Sequence, residues 1–401
     1  MAHFVFIYPQ IKRLTGAQRL ILALAEAVAA SPDNPGRVTI LTHRFAAECR
    51  PALSPEVNLI ETGRNLNLTG NHYLDSFLEY LAVPGLLRHL PPDTTMLCFF
   101  GPPSLPGLWW AKKVRRLKQK LLYFCYEPPR AAYTDRLEVT RRMGWLGRVV
   151  ARPFLRLYRP VDRYLARQAD SVLVNGQYGQ QLIRETYGLP ATIITHGAET
   201  GLAVGATEQV SALRTRYGLA EQPVLLTVNH LHPRKRVNLL LETMPLVLAE
   251  HPGAVALIVG SGPEKSSLQA LAAGLGIKPA QVIFAGFVPE AELAGHYAAA
   301  TVYVHTGRAE SFGLAILEAC MAGLPVVAVA EGGPLEILQE GESGFLVKPD
   351  PVELASKINY LLSNPAQAHQ MGQTGADRVK SRYTWQKGAE DFFKIALNLE
   401  R

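Results

Sequence analysis

The sequence predicts an α/β protein made of two doubly wound, parallel-sheet domains. Short, wholly apolar runs alternate with longer stretches of helical periodicity, the pattern of buried parallel strands covered on both faces by helices. That series starts at the amino end and starts again near residue 224, so it occurs twice. A chain of 401 residues can bury two such cores of about 200 residues each.

In the first series the strands are expected at FVFIY (4–8), VTILT (38–42), MLCFF (96–100), LLYFCY (121–126), SVLVN (171–175) and TIITH (192–196), with a helix near 16–30 after the first. In the second they are expected at VLLTV (224–228), ALIVG (256–260), VIFAG (282–286), VYVHT (302–306) and PVVAV (325–329). The segment HGAETGLAVGATEQ (196–209), rich in Gly, Ala and Thr, separates the two series and reads as a hinge.

Composition narrows the class. Hydrophobic residues make up 48% and charged residues 19%, ordinary usage for a globular protein. The four cysteines (Cys49, Cys98, Cys125, Cys320) form no CxxC pair, so neither a zinc site nor a disulfide framework is expected, which suits a reducing cytoplasm. The opening MAHFVFIYPQ is too short and too lightly charged for a signal peptide, and no apolar run approaches the roughly 18 residues of a membrane span.

The net charge of +7 is unevenly spread: residues 1–100 balance to 0, residues 101–170 carry +11 and residues 171–401 carry −4. A local excess of this kind points to an anionic partner surface. Within 146–165, Leu146, Val149, Val150, Phe154, Leu157, Tyr158, Val161 and Leu165 recur at helical spacing, with Arg148, Arg152, Arg156, Arg159, Arg163 and the following Arg167 mostly on the other side. Two readings stand: the stretch rests on an anionic leaflet, or its apolar stripe faces the core beneath a solvated arginine face. Pro153 and Pro160 are expected to interrupt any single long helix there.

The nonapeptide ESFGLAILE (310–318) carries the most chemistry. Glu318 lies in the apolar run Leu314–Ala322, and a carboxylate there loses its hydration and needs a partner. That partner is either a ligand or a neighbouring group of the core. The helix is expected from near Ser311 to Gly323, leaving Glu310 on the entering loop and the amides of Phe312, Gly313 and Leu314 at the positive helix end, where anions bind. Amides for phosphate with two carboxylates for hydroxyls describe a nucleotide sugar.

Other motifs fall at the same expected sheet edge. After VLLTV come Asn229, His230, Leu231, His232, Pro233 and then Arg234, Lys235 and Arg236, three consecutive cations suited to a diphosphate or, alternatively, to a solvated loop. VGSGPE (259–264) and Gly332-Gly333-Pro334 are glycine turns of the same kind. In the first series the strand FVFIY leads to Thr15-Gly16, where Gly16 permits close approach of a phosphate or simply makes a turn.

Together these residues resemble the retaining group 1 glycosyltransferases. The block ESFGLAILEACMAGLPVVAVAEGGPLEILQEGESGFLVKPD, with TVNHLHPRKRVNLLLE, VGSGPE, FAGFVPEAELAGHYAAATVYV and YTWQKGAEDFF, is similar to that family over residues 220–395. The first domain is similar more loosely, through TGAQRLILALA, LYFCYEPPR and VLVNGQYGQQLIRETYG. The resemblance implies a GT-B fold, two Rossmann-like domains facing across a cleft. Residues 1–197, rejoined by a helix near 385–401, would be the acceptor side, and residues 206–384 the donor side. It implies that Glu318 binds ribose hydroxyls, Glu310 the donor sugar, the Ser311–Leu314 backbone sugar or phosphate, Lys235 helped by Arg234 or Arg236 the diphosphate, and the Phe287-Val288 backbone the base. Gly16 would approach the phosphates from the other domain.

Three positions depart from the family's pattern. His230 stands where Arg is usual, Tyr126 where a site histidine is frequent, and Thr15-Gly16 where a glycine pair is usual. Glu127 and Arg130, beside Tyr126, either serve the acceptor or shape a proline turn.

The function this implies is retaining transfer of a hexosyl unit from a GDP- or UDP-sugar to a glycan or lipid-linked acceptor of the cell surface. Lys235, Glu310 and Tyr126 would be the catalytic group. No cofactor and no metal are expected, the chain lacking an Asp-x-Asp motif, and no nucleic-acid partner. The expected location is cytoplasmic, with possible attachment to the inner leaflet of the membrane. A non-hydrolysing nucleotide-sugar epimerase and a catalytically silent nucleotide-sugar-binding protein remain alternatives. A dinucleotide-dependent oxidoreductase is disfavoured because residues 9–16 lack G-x-G-x-x-G.

Overall fold

The computed structural model describes residues 2–32, 36–69, 72–130, 132–133, 145–198 and 206–400. The chain divides into two compact units, Met1–Gly197 with Trp385–Arg401, and Ala198–Thr384.

In the first unit, β1 (His3–Ile7), β3 (Arg37–Thr42), β5 (Val57–Glu61), β6 (Met96–Phe100), β7 (Lys120–Phe124), β8 (Ser171–Val174) and β9 (Thr192–Ile193) form one sheet in the order β5-β3-β1-β6-β7-β8-β9. Every pairing is parallel. Two short strands, β2 (Gln10–Ile11) and β4 (Arg44–Phe45), pair separately. The flanking helices include α1 (Gly16–Ala29), α2 (His72–Leu86), α3 (Leu105–Trp109), α4 (Trp145–Ala166) and α5 (Gln177–Tyr187).

Successive strand residues point to opposite faces, so each apolar run feeds two cores. Phe4, Phe6, Cys98 and Phe100 pack on one side with α1, whereas Val5, Ile7, Leu97 and Phe99 pack on the other. The C-terminal helix Trp385–Glu400 belongs to the first of these cores, with the Phe392 ring 5.3 Å from Phe4 and 5.6 Å from Phe6.

That helix also shortens the last strand. TIITH was expected to continue to 196, but Thr195 gives its N–H and hydroxyl to Asp391 Oδ2 (3.1 and 2.6 Å), so β9 ends at Ile193.

The expected interruption at Pro153 and Pro160 does not occur, since α4 runs unbroken from Trp145 to Ala166. Each internal proline removes one helical hydrogen bond, and tertiary anchoring of the helix offsets that cost. Asp162 is fully buried and accepts hydrogen bonds from Tyr133 (3.0 Å) and Tyr158 (3.2 Å), while Leu165 and Ala166 enter the core. Burial pushes the Asp162 carboxyl up to about 6, against the pull of its tyrosine donors. Leu157, Val161 and Tyr164 face solvent. The expected stripe is therefore split: Leu165 faces the core, and Leu157 and Val161 do not. The side chains of Leu146, Val149, Val150 and Phe154 lie outside the described residues.

In the second unit, β10 (Val224–Val228), β11 (Val255–Val259), β12 (Val282–Gly286), β13 (Val302–His305), β14 (Val326–Val329) and β15 (Phe345–Val347) form a parallel sheet in the order β12-β11-β10-β13-β14-β15. Its helices are α6 (Ala206–Tyr217), α7 (Val237–Glu250), α8 (Lys265–Gly274), α9 (Glu290–Ala298), α10 (Leu314–Met321), α11 (Pro334–Ile337), α12 (Pro351–Ser363) and α13 (Pro365–Arg382). Leu225, Ala256 and Ile258 serve the core beneath α7, α8 and α12, and Leu226, Leu257 and Val259 serve the opposite one. Of the expected hinge, residues 199–205 lie outside the described residues and Ala206 onward is helical.

The order of strands reverses between β10 and β13, which pair at Leu225↔Val302 and Leu226↔Tyr303. A doubly wound sheet opens a crevice at such a reversal, outside the strands' carboxyl ends. The loops leaving those ends are 229–236 and 306–313.

Candidate functional site

The two loops at the reversal are tied together by their backbones. Arg308 N–H donates to the Arg234 carbonyl (2.8 Å), and Thr306 Oγ1–H donates to the Lys235 carbonyl (2.7 Å). Two residues here, Arg236 (φ +46°) and Ala309 (φ +47°), hold left-handed conformations that side chains disfavour. They flank Lys235 and Glu310, so backbone strain coincides with the charged groups.

Glu310 is held from the far side as well. Its backbone bridges to Gly332, and its carbonyl accepts the Gly333 N–H at 2.8 Å. A Cβ on Gly332 or Gly333 would strike the backbone of Glu310 or Phe312, so this approach requires glycine. VGSGPE acts likewise, with the Ser261 carbonyl accepting from Leu231 N–H (2.9 Å) and Gly260 lying against Asn229.

Three basic side chains converge on the Glu310 carboxylate. Oε2 accepts from Lys235 Nζ at 2.5 Å and Arg234 Nη1 at 3.3 Å, and His305 Nε2 lies 3.9 Å away. Burial alone would raise the Glu310 carboxyl, but the neighbouring cations outweigh it and hold the group at about 2. Burial holds His305 down to about 4, so above that pH it is neutral and Lys235 and Arg234 carry the attraction. Arg236 turns away and pairs with Glu331 at 3.0 Å.

The other carboxylate of the nonapeptide sits in α10. Glu318 is 5% exposed and accepts the Tyr297 hydroxyl of α9 at 2.7 Å. Its need for a partner is thus met in part by a core side chain. Helix α10 begins at Leu314, not near Ser311, because Gly313 caps it with φ +109°. Leu314 therefore holds the first helical amide, Gly313 and Phe312 precede it, and the Phe312 ring is buried against Tyr383.

The remaining expected positions fall in separate places. His230 is exposed and stacks on His232, with ring centroids 6.4 Å apart. Phe287 is exposed after β12, and Val288 packs against the core. In the first unit Gly16 opens α1 at the surface. Tyr126 hydrogen-bonds with Tyr8, whose hydroxyl accepts from Gln18 Nε2 at 2.9 Å, and Gly101 (φ +69°) lies against the Tyr126 ring. Glu127 and Arg130 pair with each other.

Sequence reasoning missed His305, Thr306 and Tyr297. His305 and Thr306 close the run read as the strand VYVHT, which marked them as part of a buried strand, and Tyr297 lies in a helix with no motif of its own. Among the described residues no three His, Cys, Asp or Glu side chains cluster as metal ligands would, and no helix is long and apolar enough to cross a membrane.

The sequence pattern described as glycosyl transferases group 1 matches residues 209–378, and that described as Glycosyltransferase Family 4 matches residues 14–201. The second unit therefore carries the group 1 glycosyltransferase pattern over most of its length. It is similar to the GDP-mannose-dependent alpha-(1-6)-phosphatidylinositol monomannoside mannosyltransferase of Mycolicibacterium smegmatis, at 30% identity over 61% of this chain and 64% of that protein. It is also similar to the D-inositol 3-phosphate glycosyltransferase of Acidothermus cellulolyticus, at 33% identity over 57% of this chain and 53% of that one. The chain thus spans less than two thirds of the length of these relatives. Among solved structures it is similar to sucrose-phosphate synthase from Thermosynechococcus elongatus, with a TM-score of 0.79 and 21% identity over 100% of this chain and 99% of that one. WaaG, a glycosyltransferase involved in lipopolysaccharide biosynthesis, gives 0.70 at 19% identity over 96% and 98%. The fold is GT-B.

Proposed function

We propose that this protein is a group 1 glycosyltransferase that moves a hexosyl unit, with retention of configuration, from a nucleotide-diphosphate sugar to a glycan or lipid-linked acceptor. The observation that carries the reading is the convergence of Lys235 and Arg234 on Glu310 at the strand reversal of the second unit. The two cations suit a diphosphate, and the carboxylate suits sugar hydroxyls. Glu318 serves the ribose, the Leu314 end of α10 the phosphates, and the backbone at Phe287-Val288 the base.

Retention follows when the departing diphosphate itself takes the acceptor's proton on the face it leaves. The protein then supplies orientation and stabilises leaving-group charge through Lys235 and Arg234. Tyr126 is assigned to the acceptor side, and no metal is needed in this scheme. The names of the mannosyltransferase relatives make GDP-mannose the first donor to try.

The acceptor side faces an anionic membrane surface in this reading. Leu157, Val161 and Tyr164 are exposed on α4 at helical spacing, beside exposed Arg156, Arg163 and Arg167. Apolar insertion with basic contacts suits an anionic leaflet, each cation adding about 1 kcal/mol.

A thermal-shift panel of GDP- and UDP-sugars, followed by turnover with and without acceptor, tests the reading, because a ligand of the native state raises its stability. Turnover that needs an acceptor, with the product anomer matching the donor, is the expected result. Turnover without acceptor would make the protein an epimerase, and binding without any turnover a silent sugar-nucleotide receptor.

A further inference from the structure

His305 ends β13 with its side chain 1% exposed, and neither ring nitrogen has a hydrogen-bond partner. A buried imidazole left bare forfeits its hydration without return, so its position calls for a reason. Nε2 lies 3.9 Å from Glu310 Oε2, too far for a hydrogen bond and near enough to become an ion pair. The charged groups acting on the ring are Glu310, from the loop after β13, and Lys235 and Arg234, from the turn after β10.

We propose that His305 is a positioning residue that takes up a proton when the donor's diphosphate draws Lys235 and Arg234 off Glu310, so that the carboxylate keeps a cation beside it. The inference rests on the donor-site reading above. The proton comes from solvent, is held on the imidazole with one N–H directed at Oε2, and returns to solvent when the diphosphate leaves. Covalent bonds of the substrate are untouched by this step.

The electrostatics run in one direction. In the free protein burial first, and then Lys235 and Arg234, keep His305 neutral, while Glu310 alone pulls towards protonation. Moving both cations onto a diphosphate removes the opposing charges and leaves the attraction. A buried carboxylate that loses its cations is strongly destabilised, and the imidazole is beside it already.

Calorimetric titration in several buffers of different ionisation enthalpy, at about pH 6 where histidine charge is readily linked to binding, reads the uptake directly. The probes are GDP-mannose and UDP-glucose, whose phosphates do not titrate there. Wild type is expected to take up close to one proton, with affinity tightening towards about tenfold per pH unit as pH falls, the slope of a one-proton linkage. His305→Leu and His305→Gln are expected to bind with no uptake and a flat pH profile. Binding by wild type without buffer dependence overturns the proposal and leaves the donor reading intact, a measurement that needs no variant to fold. Uptake that persists in either variant puts the proton elsewhere and also overturns it. Failure of both nucleotide sugars to bind removes the donor reading and this inference together.

Discussion

Replacing Glu310 by glutamine keeps its shape and removes its charge, so Glu310→Gln measures what the cluster contributes to folding. The carboxyl is held at about 2 against an ordinary 4.5. At about 1.4 kcal/mol per tenfold change in protonation equilibrium, that difference is about 3 kcal/mol. Because the folded value is depressed, the contribution is complete above about 4.5 and fades as pH falls towards about 2. Little discount for solvent applies, since the Glu310 side chain is 12% exposed. Denaturant unfolding of the full chain at neutral pH is expected to show the second unit destabilised by about 3 kcal/mol in Glu310→Gln, the gap narrowing below about pH 4.5. The exposed control Glu221→Gln is expected to stay within about 0.5 kcal/mol of wild type. A Glu310→Gln protein as stable as wild type at neutral pH would refute the reasoning, because the cations would then only repay the cost of burying the carboxylate.

Lys235→Ala is expected to lower turnover by more than it lowers nucleoside affinity, and unchanged turnover in single alanine variants of Arg234, Lys235 and Arg236 would make them an ordinary surface loop. Glu318→Gln is expected to weaken nucleotide and nucleotide sugar alike by roughly 1.5 to 3 kcal/mol in calorimetry, whereas Glu310→Ala spares free nucleotide and loses turnover. Vesicles with anionic lipid are expected to co-sediment the protein and release it in salt, and Leu157→Asp with Val161→Asp to abolish that binding; equal failure on anionic and neutral vesicles at low salt removes the membrane from the reading. Turnover is expected to survive EDTA unchanged, and recovery only on adding a divalent cation would contradict the metal-free scheme.

The architecture was readable from the sequence because parallel strands buried on both faces must be apolar throughout, and no other element writes that pattern so plainly. VLLTV, VIFAG and MLCFF became β10, β12 and β6 at the expected residues. Less was readable at the ends of elements, where one distant contact decides. Asp391 claims Thr195 and ends β9, and the left-handed Gly313 delays α10 to Leu314. The prolines of α4 misled because their cost is local and fixed, whereas the anchoring that offsets it comes from Tyr133, in a different segment. The motif likewise marked Glu310 and the cations after β10 as important, but their meeting at 2.5 Å follows from the pairing of β10 with β13, 75 residues apart along the chain at Lys235 and Glu310. Tyr297 and His305 were invisible for the same reason: a tyrosine in a helix and a histidine in an apolar strand gain their chemistry from what the fold sets beside them. Local patterning records which face of an element is buried, and the identity of a neighbour is a property of topology that no single segment carries.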